Sequence, residues 1–295
     1  MTKTISAICV SQPSRYAMLQ RAIYNFVLQD YANRELFISI SDAEYFEKVK
    51  GWLLDDRHEG VDLTNVYLLR TNESHLGKRA VEAFKESSGD YIAVWSDDNL
   101  SHSTRLSSQV LKSVECATVV SMSFYYFYDS DELFVTDYQQ PGRNMLSKCA
   151  VSSLIVTREN FFGAALQNSY PTAHWPSVLV KKLASIFPFQ RYRHLPNKED
   201  GFLFMQGVYG DNHRGSEYHR VMGSQLPLTW TRDQVLAHAD EIDEILAGYM
   251  FPLKTIDVAG RDAAACIIKG KNISQWPKWF DTTLSSDNSV LSVEG

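Results

Sequence analysis

The sequence is poor in cysteine and has no long apolar run. Its four cysteines lie far apart and form no Cys-x-x-Cys pair, so neither a structural zinc site nor a redox dithiol is expected. No stretch approaches the about 20 apolar residues that a helix needs to cross a bilayer. The N-terminus has neither the basic region nor the long apolar region of a signal peptide. We therefore expect residence in the cytoplasm.

An excess of positive charge is also missing. The formal net charge is -6, which argues against a protein whose affinity rests on neutralising the phosphates of a nucleic acid. Hydrophobic residues make up 44% of the 295 residues, so the chain is globular and long enough to bury a sizeable core. This length suits either one large α/β domain or one domain with an appendage.

A short apolar run, Tyr91 to Trp95, ends close to two adjacent carboxylates, Asp97 and Asp98. Because the run is apolar at every position, it predicts a strand that is covered on both faces of a parallel sheet. Open α/β sheets bind ligands at the carboxyl ends of their strands. A divalent cation, which prefers oxygen ligands, would relieve the repulsion between the two carboxylates. The alternative is that they cap the helix predicted from about Ser103.

The first hundred residues alternate between strands and helices. Their helical segments have apolar residues at spacings of three and four, which is one face of a helix. The predicted strands are Ile5–Val10, Leu36–Ile40, Asn65–Leu69 and Tyr91–Trp95, and the predicted helices span 15–28, 43–54 and 76–86. Such alternation predicts a doubly wound, mostly parallel sheet, with the ligand in the crevice at the strand ends.

Several segments form an ordered set along this part of the chain: Ile5–Ser11, Arg21–Ile23, Gln29–Tyr31, Asn72 with Leu76–Arg79, Gly89–Asp98, and Arg105 with Leu106. In order and spacing they resemble the nucleotide-sugar-binding half of a GT-A fold glycosyltransferase, most closely the large family 2 of inverting enzymes. The resemblance implies a catalytic domain over residues 1–225, with a nucleotide-sugar half at 1–100 and an acceptor half at 101–225. Helical spacing of apolar residues predicts a helical C-terminal extension over 226–295, with a second helix at about 257–268.

The resemblance also assigns roles at the strand ends. Asp97 would lie at or near the ribose of the donor, and Asp98 would hold a divalent metal, Mn²⁺ or Mg²⁺, that bridges the diphosphate. Such a metal stabilises the negative charge that develops on the leaving group. Lys78 and Arg79 resemble basic positions that approach the base and the phosphates. A solvated helix start is the alternative for these two residues.

Further donor contacts are expected after the first two strands. Ser11 and Gln12 would contact the nucleoside through backbone and short polar groups. The family usually has an Asp-Asp pair after its second strand, whereas this chain has Ile40-Ser41-Asp42. Asp42 is our candidate for reading the base, although the register can differ by one residue.

The acidic general base of the family is replaced in this sequence. The corresponding helix begins near His174 and has no carboxylate at its start. Because a neutral imidazole accepts a proton near pH 7, His174 is the candidate base for the acceptor hydroxyl. A histidine that only caps or packs the helix start is the alternative. Glu199 and Asp200 are rival bases, although the Asn, Asp and Gly of their segment also favour a turn.

A polar segment with two glycines follows the strand predicted at Phe202–Val208. His213 matches a position where many GT-A enzymes have a further metal ligand or a diphosphate contact. Arg214 would hold the diphosphate, a common use of the arginine fork. A plain surface loop is the alternative, because the histidine spacing alone is not a metal signature.

The predicted function is therefore metal-dependent, inverting transfer of a hexosyl or pentosyl group from a nucleotide-diphosphate donor. The acceptor would be a hydroxyl of a glycan, lipid, protein or modified nucleic acid, and an oligomer is compatible with the sequence. A nucleotidyltransferase ranks lower, because the segment from Ser11 to Arg15 lacks the glycines of its phosphate loop. A catalytically inactive sugar-nucleotide-binding or scaffold protein is favoured by Ser41 and by the missing acidic base.

Overall fold

The computed structural model describes residues 3–55, 58, 61–111, 113, 117–121, 124–127, 132–135, 149–165, 179, 183, 189–192, 203–208, 232–249, 256–259 and 265–268. The strands are β1 Ile5–Val10, β2 Arg34–Ile40, β3 Val66–Arg70, β4 Tyr91–Val94, β5 Leu100–Ser101, β6 Ala117–Ser121, β7 Phe124–Phe127, β8 Glu132–Val135, β9 Cys149–Thr157, β10 Phe189–Tyr192, β11 Phe204–Val208, β12 Ile256–Ala259 and β13 Ala265–Ile268. The helices are α1 Tyr16–Val27, α2 Ala43–Leu53, α3 Leu76–Glu86, α4 Arg105–Val110, α5 Arg158–Ala165, α6 Arg232–Ala237 and α7 Ala239–Leu246. A 3-10 turn, Pro13–Arg15, leads into α1.

The larger sheet has seven strands in the order β10-β6-β9-β4-β1-β2-β3. Strand β1 pairs in parallel with β2 and β4, and β2 pairs in parallel with β3. Strand β9 is antiparallel to both of its neighbours, β4 and β6. The predicted doubly wound, mostly parallel sheet is thus confirmed, and the parallel strands β1 to β4 bring their carboxyl ends to one edge.

Helices cover this sheet on both faces. On one face, Ile23 of α1 and Val49 of α2 pack in a cluster with Tyr91, Ala93 and Trp95. On the other face, Ala83 of α3 packs in a second cluster with Ile92 and Val94. Successive side chains of a strand point to opposite faces, so a strand buried on both faces must be apolar at every position. This requirement explains the unbroken apolar run that ends near the two carboxylates.

Local signals in the sequence account for the helix positions. Helix α3 has the predicted bounds, and its buried face is formed by residues at helical spacing, including Ala80, Ala83 and Phe84. Helix α2 begins at Ala43 because the Asp42 carboxylate accepts a hydrogen bond from the backbone N–H of Tyr45 at 2.7 Å. Its N-cap therefore fixes where the chain turns after β2.

A second, six-stranded sheet has the order β13-β12-β8-β7-β11-β5. The predicted C-terminal helices exist from Arg232 to Leu246, as α6 and α7. The second helix predicted at about 257–268 is wrong, because β12 and β13 pair there as an antiparallel hairpin and β12 joins β8. Short apolar runs do not distinguish a strand from a buried helix, and pairing with β8 favours the strand here. In the part of the chain that the structure describes, no helix has the length and apolar character to cross a bilayer.

Candidate functional site

The chain leaves the larger sheet at Trp95, whose side chain is anchored in the core. The indole Nε1–H donates to the carbonyl of Ala22 at 3.0 Å, and the ring packs edge-on against Phe26 at 5.4 Å between centroids. The backbone N–H of Trp95 still donates to the carbonyl of Ile8 in β1, at 2.9 Å. Because Trp95 is held in place, the segment that carries Asp97 and Asp98 begins at a fixed position at the carboxyl edge of the sheet.

The buried side chain of Arg105 contacts the end of this strand. Its guanidinium donates to the carbonyl of Val94 at 3.0 Å and to the hydroxyl of Ser101 at 2.9 Å. The guanidinium carbon, Cζ, lies 4.9 Å from the ring centroid of Trp95. Burial lowers the pKa of Arg105 to about 9. The sequence placed Arg105 within a family motif but gave it no role. The structure shows that it supports the segment that carries the two carboxylates.

Asp97 and Asp98 have different surroundings although they are neighbours in sequence. The Asp97 side chain is 1% exposed and that of Asp98 is 14% exposed. One guanidinium nitrogen of Arg15, Nη1, lies 2.7 Å from Asp97 Oδ1 and 3.3 Å from Asp98 Oδ2. Asp98 Oδ1 also accepts a hydrogen bond from the hydroxyl of Ser96. Capping of α4, the alternative reading of the acidic pair, does not occur, because α4 begins at Arg105 and its N-cap residue is Thr104.

The Asp97 carboxylate is a buried acceptor with unused capacity. Burial raises its pKa above the ordinary aspartate value, while the charge of Arg15 lowers it and the charge of Asp98 raises it further. Ser11 lies close enough to lower this pKa as well, but its hydroxyl makes its hydrogen bond with the Tyr45 hydroxyl, at 2.9 Å. Within the described residues, Asp97 Oδ2 is buried and makes no hydrogen bond. A ligand hydroxyl or a cation could satisfy that oxygen.

Ser11 and Arg79 meet at the ends of the first two strands. The Arg79 guanidinium donates to the carbonyl of Ser11 at 2.6 Å and also to the carbonyl of Ser39. Its side chain is buried, and burial lowers its pKa. The alternative of a solvated helix start therefore does not describe Arg79. Lys78, by contrast, is 44% exposed and pairs with Glu73 at 3.0 Å.

The remaining described candidates lie at the same edge. Gln12 is half-buried at the start of the 3-10 turn, and its amide lies 3.5 Å from the hydroxyl of Ser14. Asp42 is exposed and is the N-cap of α2, so its geometry has a structural explanation. A role for Gln12 or Asp42 in binding a nucleoside stays a prediction.

The other predicted site residues lie outside the described residues. They are the two candidate bases His174 and Asp200, the rival base Glu199, and the predicted diphosphate and metal contacts His213 and Arg214. Their roles stay predictions.

Two residues of the site have no counterpart among the sequence-based candidates. Arg15 reaches the acidic pair because the 3-10 turn redirects the chain immediately after β1. Tyr45 reaches Ser11 from the first turn of α2, which follows β2, the strand that neighbours β1. A proline two residues before Arg15 was the one local signal for such a turn, since proline favours the first positions of a helix.

The acidic pair fits a hard divalent cation by its chemistry. It offers carboxylate oxygens, which such ions prefer, together with one buried oxygen that has no hydrogen bond. Within the described ranges, no three side chains of Asp, Glu, His or Cys converge on a common point. A cation at this pair would therefore take its further ligands from outside the side chains of the described residues.

A cavity of about 630 Å³ extends this edge beyond β2. It is lined by Ser39 near the end of β2, by Glu82 of α3, and by the segment from Leu69 to Glu73, which covers the end of β3 and the residues after it. Thr71 donates its hydroxyl to Glu82 within this wall. The strand-end edge thus runs from the acidic pair, past Ser11, to an open space beside β3.

Comparisons with known proteins give a fold but no sequence family. No family model and no curated protein matches this sequence. Among solved structures, the mannosyltransferase PcManGT from Pyrobaculum calidifontis, in complex with GDP-Man and Mn²⁺, superposes with a TM-score of 0.51 at 11% identity, over 83% of this chain and 65% of that one. The fold is of the GT-A glycosyltransferase type.

A second neighbour is S. aureus TarS. Its residues 1–349 align at 12% identity with a TM-score of 0.49, over 83% of this chain and 70% of that one. The superposition on PcManGT confirms, at the level of architecture, the GT-A fold predicted from the ordered segments. In this GT-A fold, the acidic pair lies at the carboxyl end of β4, on the same edge as Ser11 at the end of β1.

Proposed function

We propose that this protein transfers a sugar from a nucleotide-diphosphate donor to an acceptor hydroxyl, with inversion and with the help of Mn²⁺ or Mg²⁺. The observation that carries the proposal is the placement of Asp97 and Asp98 at a strand-end edge of a GT-A fold, with one buried and one accessible carboxylate. Support comes from PcManGT, which has this fold and binds GDP-Man with Mn²⁺. Membership of family 2, the domain boundaries at residues 225 and 226, and cytoplasmic residence stay predictions.

The described residues would divide the work of donor binding between them. Asp97 Oδ2 is suited to accept a hydrogen bond from a ribose hydroxyl, because it is buried and makes no hydrogen bond within the described residues. Asp98, which solvent can reach, would hold the metal together with oxygens of the diphosphate. When bound, the metal supplies Lewis-acid stabilisation of the charge on the leaving group. Lys78 is exposed enough to approach the phosphates.

The acceptor side of the reaction rests on residues proposed from the sequence. A base, His174 or else Asp200, would remove the proton of the acceptor hydroxyl. The acceptor oxygen then forms its bond to the anomeric carbon, while the bond from that carbon to the phosphate oxygen breaks and its electron pair leaves with the diphosphate. His213 and Arg214 would contact that diphosphate. Inversion requires the base and the diphosphate to lie on opposite faces of the sugar.

A thermal-shift panel tests the donor part of this proposal. UDP-, GDP-, dTDP- and CDP-sugars are each added with and without Mn²⁺ to the wild type, to Asp98→Ala and to Asp90→Ala. Asp90 is a matched control, because it is a partly exposed carboxylate at the opposite end of β4. A ligand that binds only the folded state raises the melting temperature.

We expect one nucleotide class to raise the melting temperature of the wild type and of Asp90→Ala only with Mn²⁺, and to leave that of Asp98→Ala unchanged. Absence of any shift in the wild type would contradict the proposal and favour the scaffold alternative. If a donor binds, slow release of free nucleoside diphosphate in water distinguishes an active transferase from an inactive sugar-nucleotide-binding protein.

A further inference from the structure

We propose that Arg15 is a built-in counter-ion that shields Asp98, so that a divalent cation binds well only together with the donor diphosphate. This inference rests on the proposed function and adds a positioning residue to it. Arg15 was not among the residues that the sequence singled out. Its role follows from three features of the described structure, namely its contacts, the burial of its partners and the turn that holds it.

The contacts place a positive charge where a cation would be attracted. The Nη1 atom of Arg15 is 2.7 Å from Asp97 Oδ1 and 3.3 Å from Asp98 Oδ2. A single nitrogen therefore lies against oxygens of both carboxylates. Since those oxygens are the cation-attracting groups of the site, the guanidinium and a metal ion compete for the same negative charge.

Burial decides which of the two carboxylates keeps the guanidinium. Asp97 is 1% exposed, and a buried carboxylate without a counter-charge is strongly unfavourable. Asp98 is 14% exposed, and its contact with Arg15 is longer than a charge-assisted hydrogen bond of about 2.7–2.9 Å. We therefore expect Asp98 to exchange Arg15 for the metal, while Asp97 retains its ion pair.

The turn limits how far Arg15 can withdraw. Arg15 closes the 3-10 turn that begins at Pro13, and its backbone N–H donates to the carbonyl of Gln12 at 2.9 Å. The turn continues directly into α1, whose apolar face is buried against the sheet. The guanidinium thus stays beside the acidic pair, where it repels a bare divalent cation and attracts an anion.

A bound diphosphate reduces the repulsion between the guanidinium and the metal ion, because its negative charge attracts both of these positive charges. Metal and nucleotide then bind with positive coupling, and each raises the affinity for the other by the same factor. Arg15 sets the size of that factor by weakening the binding of Mn²⁺ alone. The charge of the side chain, rather than its shape, carries the effect.

Binding of Mn²⁺ alone, followed by the electron paramagnetic resonance signal of the free ion, tests this role without an activity assay. The proteins are the wild type, Arg15→Gln, Arg15→Lys, Asp98→Ala and the control Lys3→Gln. Lys3 is an exposed cation that pairs with Asp90 at the opposite end of β4. The titrations are repeated in the presence of UDP and of GDP.

We expect Arg15→Gln to bind Mn²⁺ alone roughly tenfold more tightly than the wild type, within the usual range of coupling factors. Arg15→Lys and Lys3→Gln should resemble the wild type, and the gain in affinity from nucleotide should be smaller in Arg15→Gln. If Mn²⁺ binds in an Asp98-dependent way but Arg15→Gln binds it no more tightly, the role of Arg15 is refuted and the proposed function is unaffected. If no protein binds Mn²⁺ even with nucleotide, both are refuted.

A crystal structure of the wild type with Mn²⁺ and UDP or GDP provides a test that does not depend on the folding of a variant. We expect Arg15 to remain on Asp97 and Asp98 to contact the metal, with the guanidinium no longer against Asp98. An Asp98 that still contacts Arg15 while the metal is bound elsewhere would overturn the inference.

Discussion

Ser6 fills the space that a side chain at Gly89 would need. A Cβ atom built on Gly89 would lie 2.5 Å from the Ser6 hydroxyl, 2.7 Å from the Ser6 nitrogen and 2.9 Å from the carbonyl of Thr4. The amide of Gly89 instead donates to the Ser6 hydroxyl at 2.7 Å. This close approach sets where β4 enters the sheet beside β1, and β4 carries the acidic pair at its other end.

Gly89→Ala is accordingly expected to lower the free energy of unfolding by about 1–3 kcal/mol, because two of the clashing atoms belong to the backbone of β1 and its approach and cannot move aside. Urea denaturation measures the change. The control is Gly51→Ala in α2, where nothing lies within 4 Å of the added methyl group. That change should be neutral or stabilise the protein by up to about 1 kcal/mol. Equal effects of the two substitutions would contradict this explanation.

Arg79 and Lys78 are adjacent in sequence, but we expect Arg79 to contribute to stability and Lys78 to contribute to donor binding. Arg79→Met removes the buried guanidinium that donates to the carbonyls of Ser11 and Ser39. The Ser39 carbonyl keeps its bond from the Ser11 N–H, so we expect a loss of about 1–3 kcal/mol in the free energy of unfolding. Lys78→Met removes a partly exposed ion pair with Glu73 and should change the free energy of unfolding by less than about 1 kcal/mol.

Donor titrations on the same two variants separate binding from stability. If Lys78 approaches the phosphates, Lys78→Met weakens donor binding while its urea midpoint stays close to that of the wild type. A Lys78→Met protein with wild-type donor affinity would remove Lys78 from the site. An Arg79→Met protein of wild-type stability would show that its two carbonyl contacts contribute little.

Gly248 packs against His102 and joins the segment after α7 to the residues between β5 and α4. A Cβ atom on Gly248 would lie 1.8 Å from Nε2 of His102, and the carbonyl of Gly248 accepts from the amide of Ser103 at 2.9 Å. We expect Gly248→Ala to lower the free energy of unfolding by about 1–3 kcal/mol. In the double variant with His102→Ala, the cost should be less than the sum of the single changes by at least about 0.5 kcal/mol. Additive effects in a double-mutant cycle would argue against direct contact.

The burial of His102 predicts a pH dependence of stability. Burial lowers its pKa, its Nδ1 accepts from the amide of Thr104, and the ring of Tyr249 packs edge-on against it. The folded state therefore binds fewer protons than the unfolded state, whose histidine has a pKa of about 6.5. The contribution of the neutral ring to stability is complete above that pH, and it is lost as the pH falls towards the lowered pKa of the folded state.

This linkage is measured by the urea midpoints of the wild type and of His102→Asn at several pH values between 5 and 8. That range extends about 1.5 pH units on either side of the pKa of an unfolded histidine. We expect the stability advantage of the wild type over His102→Asn to shrink as the pH falls. An identical slope in His102→Asn would show that His102 does not titrate differently on folding.

The strand and helix order of the first hundred residues was predictable because each element there has a clear local period. The bounds of α3 are those that apolar spacing predicts, and β4 is buried on both faces as its unbroken apolar run requires. The hairpin of β12 and β13 was not predictable in the same way. Its two runs are four residues each, and only pairing with a distant strand, β8, distinguishes them from a helix.

The same contrast applies to the site. Asp97 and Asp98 were predicted as site residues because they closely follow a strand end, which is a relationship within a few residues. Their difference in burial and their shared contact with Arg15 could not be predicted in this way. Arg15 and Asp97 are more than eighty positions apart, and no local pattern encodes a contact over that distance in sequence. Arg79 illustrates the same limit, since its sequence position suggested phosphates while its side chain reaches two backbone carbonyls.

The sequence by itself determined the class of fold, and it predicted the strand-end edge and the two carboxylates of the candidate site. It could do so because hydrophobic period and strand-end position are properties of short segments. Only the tertiary structure decided which carboxylate is buried, which arginine neutralises it and which basic residue supports the backbone instead of facing solvent. Those outcomes depend on how β1, β2 and β4 bring distant turns together, and on the cost of burying a charge without a partner.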